Sequence, residues 1–200
     1  MEKGMVRNQR GFTLIDLTLT VGLLAVLSVI VIPITDTSID VHRLKGDATA
    51  LRNLVGVAKL RASSQSTRAR VRVDLGTNSF ALQVWDRSAN VWVTQNGVRP
   101  LSSGVTFGFG TLATPPPNTQ VTIGMSPPCS PGLTAADAVP NTACITFNSR
   151  GLPVDADGNL YPRHALYLRG DTGVFATTVT STPLIRLWSS PALSAVWTQK

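Results

Sequence analysis

The chain has 200 residues, of which 43% are hydrophobic and only 14% charged, and its formal net charge is +7. That length allows one modest domain with a core of its own and excludes a pair of large ones. A surplus of this size is compatible with anionic partners but demands none, so a mildly basic surface accounts for it.

The chain opens on a short polar stretch, Met1 to Arg10, in which Lys3, Arg7 and Arg10 stand against Glu2. An ordinary secretory signal places its apolar region before the cleavage junction, with small residues at the cut. Here the polar stretch stops at Gly11 and the apolar region follows it, so a cut after Gly11 keeps the apolar segment in the mature chain. The basic residues predict that this end faces the cytoplasm and the bulk of the chain lies outside.

From Phe12 to Ile32 a run of 21 residues holds a single ionisable group, Asp16. At ~1.5 Å per residue the run is roughly 32 Å long, matching a hydrocarbon core of about 30 Å, and it predicts a transmembrane helix. After Pro33 the apolar positions Val41, Leu44, Ala48, Leu51, Val55, Ala58 and Ala62 recur at spacings of three and four. Between them lie Arg43, Lys45, Asp47, Arg52, Asn53, Lys59 and Arg61. That is an amphipathic helix with one stripe suited to a globular partner. Pro33 removes a backbone donor and predicts a kink. The expected organisation is a leader over 1–11, a transmembrane half of one long helix over 12–33, an amphipathic half over 34–64 and a β head over 65–200.

Beyond Ser64 the period changes to two. Arg68–Leu75 and Ser79–Trp85 flank Gly76-Thr77-Asn78, a hairpin by its turn chemistry, and Asn90–Thr94 continues a meander. Further strands are expected at 105–109, 120–125, 144–147, 164–169, 174–180 and 184–188. The fold class predicted is α+β: a long N-terminal helix, transmembrane and then amphipathic, packed on an antiparallel β-sandwich-like head. Loops are expected at the Pro triplet 115–117, at the Pro/Ala/Gly-rich stretch 126–141, and at 149–163. Cys129 and Cys144 are the only cysteines. In an exported domain an even pair reads as one disulfide. A redox or metal role needs Cys-x-x-Cys or neighbouring histidines, and neither is present.

Candidate ligand sites are few. Arg68, Arg70 and Arg72 alternate on one strand face and are the candidates for DNA phosphates, although a solvated strand edge explains them as well. Trp85 and Trp92 are of a type that stacks on bases, or simply core. Asp155 to Asn159 has the composition of a calcium loop but lacks its terminal Glu, which makes it a polar turn. His42 and His164 have no evident catalytic partner, and Gly108-Phe109-Gly110 lacks the third glycine of a dinucleotide site. No catalytic constellation is expected, no cofactor and no metal.

The run Gly11-Phe12-Thr13-Leu14-Ile15-Asp16, followed by the apolar helix and Pro33, resembles the type IV pilin and type II secretion pseudopilin superfamily. The resemblance implies cleavage after Gly11 by a membrane-embedded prepilin peptidase and N-methylation of the freed Phe12. The usual acid at position 16 is Glu; this chain has Asp, one methylene shorter. A carboxylate at membrane depth costs about 2.5–3.5 kcal/mol at a helix centre and less near its end. The Phe12 amine of a neighbouring subunit is its natural partner: two charges ~4 Å apart attract by about 4 kcal/mol at an effective dielectric near 20. Cys144–Pro153 with the strands at 164–169 and 174–180 is similar to the C-terminal region of FimT/GspH-type minor pilins.

The implied function is a non-enzymatic minor pilin or pseudopilin in a pilus or secretion filament, the alternative being a competence-type minor pilin that binds DNA during uptake. It would sit in the bacterial inner membrane as a single-pass protein before assembly. Its implied partners are the prepilin peptidase, other pilin or pseudopilin subunits and the inner-membrane assembly platform. Some members bind DNA during uptake through a Gly-Arg-x-Arg stretch; this chain reads Ser181-Thr-Pro-Leu-Ile-Arg186 there, so that motif is absent.

Overall fold

The structure of the protein, a computed structural model, describes residues 13–200, with the side chains of residues 28–38 outside that description. The expected leader, Gly11 and Phe12 also lie outside the described residues. The chain divides into two compact units, Met1–Ile39 and Asp40–Lys200.

Helix α1 spans Leu14–Ser64 and its backbone stays helical through Pro33. In the first unit its side chains stand in solvent: Leu14, Ile15, Leu17, Leu19, Leu23 and Leu24 are all exposed. Thr18 and Thr20 turn their hydroxyls back onto the carbonyls of Ile15 and Leu17, at 3.0 and 2.8 Å. Among the described residues no helix is long and apolar enough to cross a membrane. The expected span Phe12–Ile32 takes in residues beyond that description.

In the second unit α1 buries one stripe, Leu44, Ala48, Leu51, Val55, Ala58 and Ala62, each 0–1% exposed. Three of the six are alanine. The helix ends on a left-handed residue, Ser66 at φ 50°. The N–H of Thr67 then bonds the carbonyl of Ala62 at 3.1 Å and that of Ser66 bonds Ser63 at 3.3 Å, a Schellman stop with serine in the glycine position.

The strands that follow are β1 (Ala69–Asp74), β2 (Ser79–Asp86), β3 (Val91–Pro100), β4 (Thr106–Phe107) and β5 (Thr142–Phe147). They continue as β6 (Pro153–Val154), β7 (His164–Arg169), β8 (Gly173–Val179), β9 (Ile185–Pro191) and β10 (Thr198–Gln199). Two antiparallel sheets result, ordered β3-β2-β1-β5-β6 and β10-β9-β8-β7-β4. Their inner faces share one core with the α1 stripe, through Val71, Val73, Ile145 and Phe147 from one sheet and Leu166, Leu168 and Leu187 from the other.

The outer face of each sheet is also covered. On the second sheet, Tyr167, Ala176 and Trp188 form a separate apolar cluster under Leu112, Phe109, Ile123 and Trp197. Tyr167 Oη donates to Gln120 Oε1 at 2.7 Å, and burial holds its phenol well above the ordinary range. The stretch 120–125 is therefore not the strand its alternation predicts. The Gln120 side-chain amide donates instead to the carbonyls of Gly124 and Arg163, and the segment lies as a flap over the sheet. β3 is longer than expected because it passes a register irregularity opposite Phe80 and Leu82, beside the left-handed pair Asn96 and Gly97, and then resumes pairing to Pro100.

Candidate functional site

Two places carry the residues singled out by sequence: the start of α1 and the outer face of the first sheet. At the helix start, Thr13 and Asp16 cap each other. Thr13 donates from its backbone N–H (3.2 Å) and its hydroxyl (2.8 Å) to Asp16 Oδ2, while the Asp16 N–H donates to Thr13 Oγ1 at 3.3 Å. This reciprocal arrangement is a capping box with Asp in the place of Glu or Gln, and it satisfies donors that a helix N-terminus otherwise leaves open. Sequence reading gave Asp16 an intermolecular role and missed this local one, although Thr-x-x-Asp ahead of an apolar run was the signal.

On the first sheet the arginine row behaves differently from either expectation. β1 is the central strand, hydrogen-bonded to β2 on one side and β5 on the other, so Arg68, Arg70 and Arg72 do not lie on a sheet edge. Arg70 is only 5% exposed. Its Nε donates to Gln83 Oε1 at 2.8 Å and its Nη1 to the Ser130 carbonyl at 2.7 Å, and the guanidinium lies 4.0 Å from the centre of the Trp92 ring. Burial, with Arg72 adding repulsion, pushes its pKa down to about 9. Arg68 gives Nη1 to the carbonyls of Leu133 and Ala156, and Arg72 lies 3.7 Å from Asp74. Arg70 is thus largely buried, Arg68 is tied to the loops above the sheet, and Arg72 stays partly exposed.

The cover over Arg70 is the stretch 126–139. Cys129 and Cys144 are joined by a disulfide with a Cα–Cα distance of 5.1 Å, which fastens the cover to β5. Trp92 Nε1 donates to the Gly132 carbonyl at 3.2 Å, and Trp92 meets Trp85 edge-on at 5.3 Å between ring centres. Both tryptophans are thus engaged within the fold. In the turn 155–159, Asp155 accepts the Asn159 N–H at 2.8 Å and Asp157 accepts the Ala135 N–H at 2.9 Å. Each carboxylate serves a backbone amide, and among the described residues no group of His, Cys, Asp or Glu is placed to hold a metal ion.

His164 is buried, with Nδ1 3.3 Å from Ser126 Oγ and Nε2 3.2 Å from the Val154 carbonyl. The serine hydroxyl is already committed to the backbone of Ala165, donating to its carbonyl at 3.0 Å and accepting its N–H at 3.1 Å. The pair braces the flap between β5 and β7 and has none of the exposure that a nucleophile and base need.

An apolar-fronted helix whose later half is the inner layer beneath two antiparallel sheets defines an α+β fold without a catalytic constellation among the described residues. Among solved structures, the chain is similar to the minor pseudopilin EpsH from the Type 2 Secretion System of Vibrio cholerae. It is 14% identical over 72% of this chain and 95% of that one, with a TM-score of 0.46. A crystal structure of the same pseudopilin aligns at 14% identity over 72% of this chain and 92% of that one, with a TM-score of 0.44. No family model and no curated protein matches the chain.

Proposed function

We propose that the protein is a minor pilin or pseudopilin, a non-enzymatic subunit of a type IV pilus or type II secretion filament. It is cleaved after Gly11, N-methylated at Phe12 and assembled through the N-terminal half of α1. The observation that carries this reading is a capped helix whose first turns, Asp16 apart, expose apolar and back-bonded side chains, directly after a Gly-Phe junction preceded by basic residues. Threonines that spend their hydroxyls on helix carbonyls suit a lipid or helix-lined setting, where an unmet polar group is costly.

Cleavage frees the Phe12 amine four positions before Asp16. Within one chain Asp16 Oδ2 is engaged by Thr13, and Oδ1 has no bond to a described residue. One carboxylate therefore closes its own helix and still offers an oxygen to the amine of an adjacent subunit. The attraction between opposite charges, less screened at membrane depth than in water, offsets the cost of placing an acid there. Pairing of this kind sets axial register, and the rest of the helix supplies contact area. The partners on this reading are the prepilin peptidase, sister subunits and the inner-membrane assembly platform.

Mass spectrometry of the protein from its native membrane tests the reading. The expected N-terminus is a methylated Phe12, and Gly11→Leu is expected to retain Met1 and remain in the inner membrane. Asp16→Ala is expected to be cleaved yet excluded from sheared filaments. A native product that still begins at Met1 without a methyl group sinks the proposal.

A further inference from the structure

Arg70 is a largely buried cation without a counterion, and its Nη2 keeps some contact with solvent. Among the described residues the only ion pairs are Arg43–Asp40, Arg72–Asp74 and Arg99–Asp47, and none includes it. Its Nε and Nη1 meet neutral oxygens and its face meets an indole, while Nη2 bonds no described protein acceptor. Dipoles and a ring quadrupole compensate a buried charge only in part, and such charges are normally paired.

Against this guanidinium lies a cavity of about 20 Å³, with Arg68, Arg70, Trp92, Ser130, Thr146 and His164 in its wall. The space fits one water-sized sphere, which needs roughly 10–15 Å³. It is too small for phosphate or sulfate. One carboxylate, Asp155, also reaches the wall. Its Oδ1 accepts the Asn159 N–H at 2.8 Å and its Oδ2 lies 3.5 Å from Asn159 Nδ2, so it is committed to its own turn.

We propose that this cavity is a binding site for a monatomic anion, chloride being the natural occupant, held by the free N–H groups of Arg70 with Arg68 as the second cation. A halide comes nearer to the size of the cavity than any oxyanion does, and it has the charge that the arginine lacks. It would add to the fastening of the 126–139 cover, which includes the Arg70–Ser130 bond, the Trp92–Gly132 bond and the disulfide. The site stands independently of filament assembly.

Thermal unfolding of the full-length protein in non-ionic detergent tests this, in sodium chloride against sodium gluconate at equal ionic strength. A site occupied to tenfold its Kd raises the melting temperature by about 3–6 °C for a chain of this size. Bromide is expected to substitute and sulfate is not. Arg70→Met keeps the length of the side chain and removes the charge; it is expected to abolish the difference between chloride and gluconate. Arg186→Gln, on the other sheet, is expected to preserve it. Broadening of the ³⁵Cl resonance by the wild-type protein gives a direct reading even where Arg70→Met folds poorly. Equal melting in chloride and gluconate, with no ³⁵Cl broadening, means that the cavity holds only water and overturns the proposal.

Discussion

Asp47, on helix α1, accepts the backbone N–H of Ser102 at 2.7 Å across 55 positions of sequence. Its side chain is 3% exposed, and Arg99 approaches to 3.9 Å from the surface. Through this contact the helix holds the chain as it leaves β3, where Leu101 and Val105 turn in to join the core. The bond works as a clamp between a helix and the end of an edge strand.

Removing the acceptor leaves a partly buried amide with nothing to bond. Asp47→Ala is therefore expected to cost about 1–3 kcal/mol, while Asp47→Asn, which keeps a carbonyl oxygen in place, costs less. Urea unfolding of the two variants measures the order. Equal stability of Asp47→Ala and wild type would show that the Ser102 amide finds water instead.

The stripe from Leu44 to Ala62 was legible because the helical period recurs without a break and its buried members are all apolar. Asp47 was not, because periodicity sorts it with Arg43 and Lys45 among the polar positions, and only tertiary structure supplies a backbone donor opposite it. The same reason hides Arg70. Alternation correctly separates it from Val71, but it cannot say that the outward face of a central strand lies under a second layer. The cover comes from residues 126–139, whose composition announces a loop and not its position. Gln120–Met125 fails in the other direction: alternation without a partner strand is no strand, and its residues serve as a lid on Tyr167. At the helix start, the cap between Thr13 and Asp16 could be read from spacing alone, and it was overlooked because the lone acid in an apolar run invited a distant partner.

The Cys129–Cys144 disulfide closes a loop of 15 residues and holds the cover over Arg70. For that loop length, chain-entropy reasoning gives about 3 kcal/mol of stabilisation. The double variant Cys129→Ala/Cys144→Ala is expected to unfold at lower guanidinium concentration by a corresponding amount, and reductant is expected to move the wild-type midpoint towards it. An unchanged midpoint in the double variant would mean that the cover's hydrogen bonds hold it without the disulfide.

Gly173 opens β8 opposite Pro191, and a Cβ there would sit 2.8 Å from the Ser190 carbonyl oxygen. The obstacle is backbone, which cannot rotate away as a side chain would. Gly173→Ala is expected to force β8 and β9 apart at this end and destabilise by about 1–3 kcal/mol, the range for overpacking a well-filled site. Gly22→Ala is the control: nothing lies within 4 Å of a Cβ there, and alanine is the better helix former. A neutral Gly173→Ala in thermal unfolding would show that the hairpin end has slack.

His164 sets a pH dependence of stability. Burial pushes its pKa down from 6.5 to about 4, with the Val154 carbonyl and Asp155 opposing that shift. Above pH 6.5 the imidazole is neutral in both folded and unfolded chains, and its contribution is complete. As the pH falls through 6.5 the unfolded chain takes up a proton that the folded chain refuses. Stability is then lost down to about pH 4, below which the folded form protonates too and the loss levels off. The interval from 6.5 to about 4 corresponds to about 3 kcal/mol. The carboxylates act lower: Asp74 is held below 3.8 chiefly by the Thr77 amide, and Asp86 chiefly by the Ser88 hydroxyl. A depressed carboxylate loses its contribution only as the pH falls towards and below 3.8, so the window above pH 4 belongs to the histidine. His164→Gln, which can still donate to the Val154 carbonyl, is expected to flatten the slope between pH 6.5 and 4 in urea titrations. Persistence of the full slope in that variant would assign it to another group.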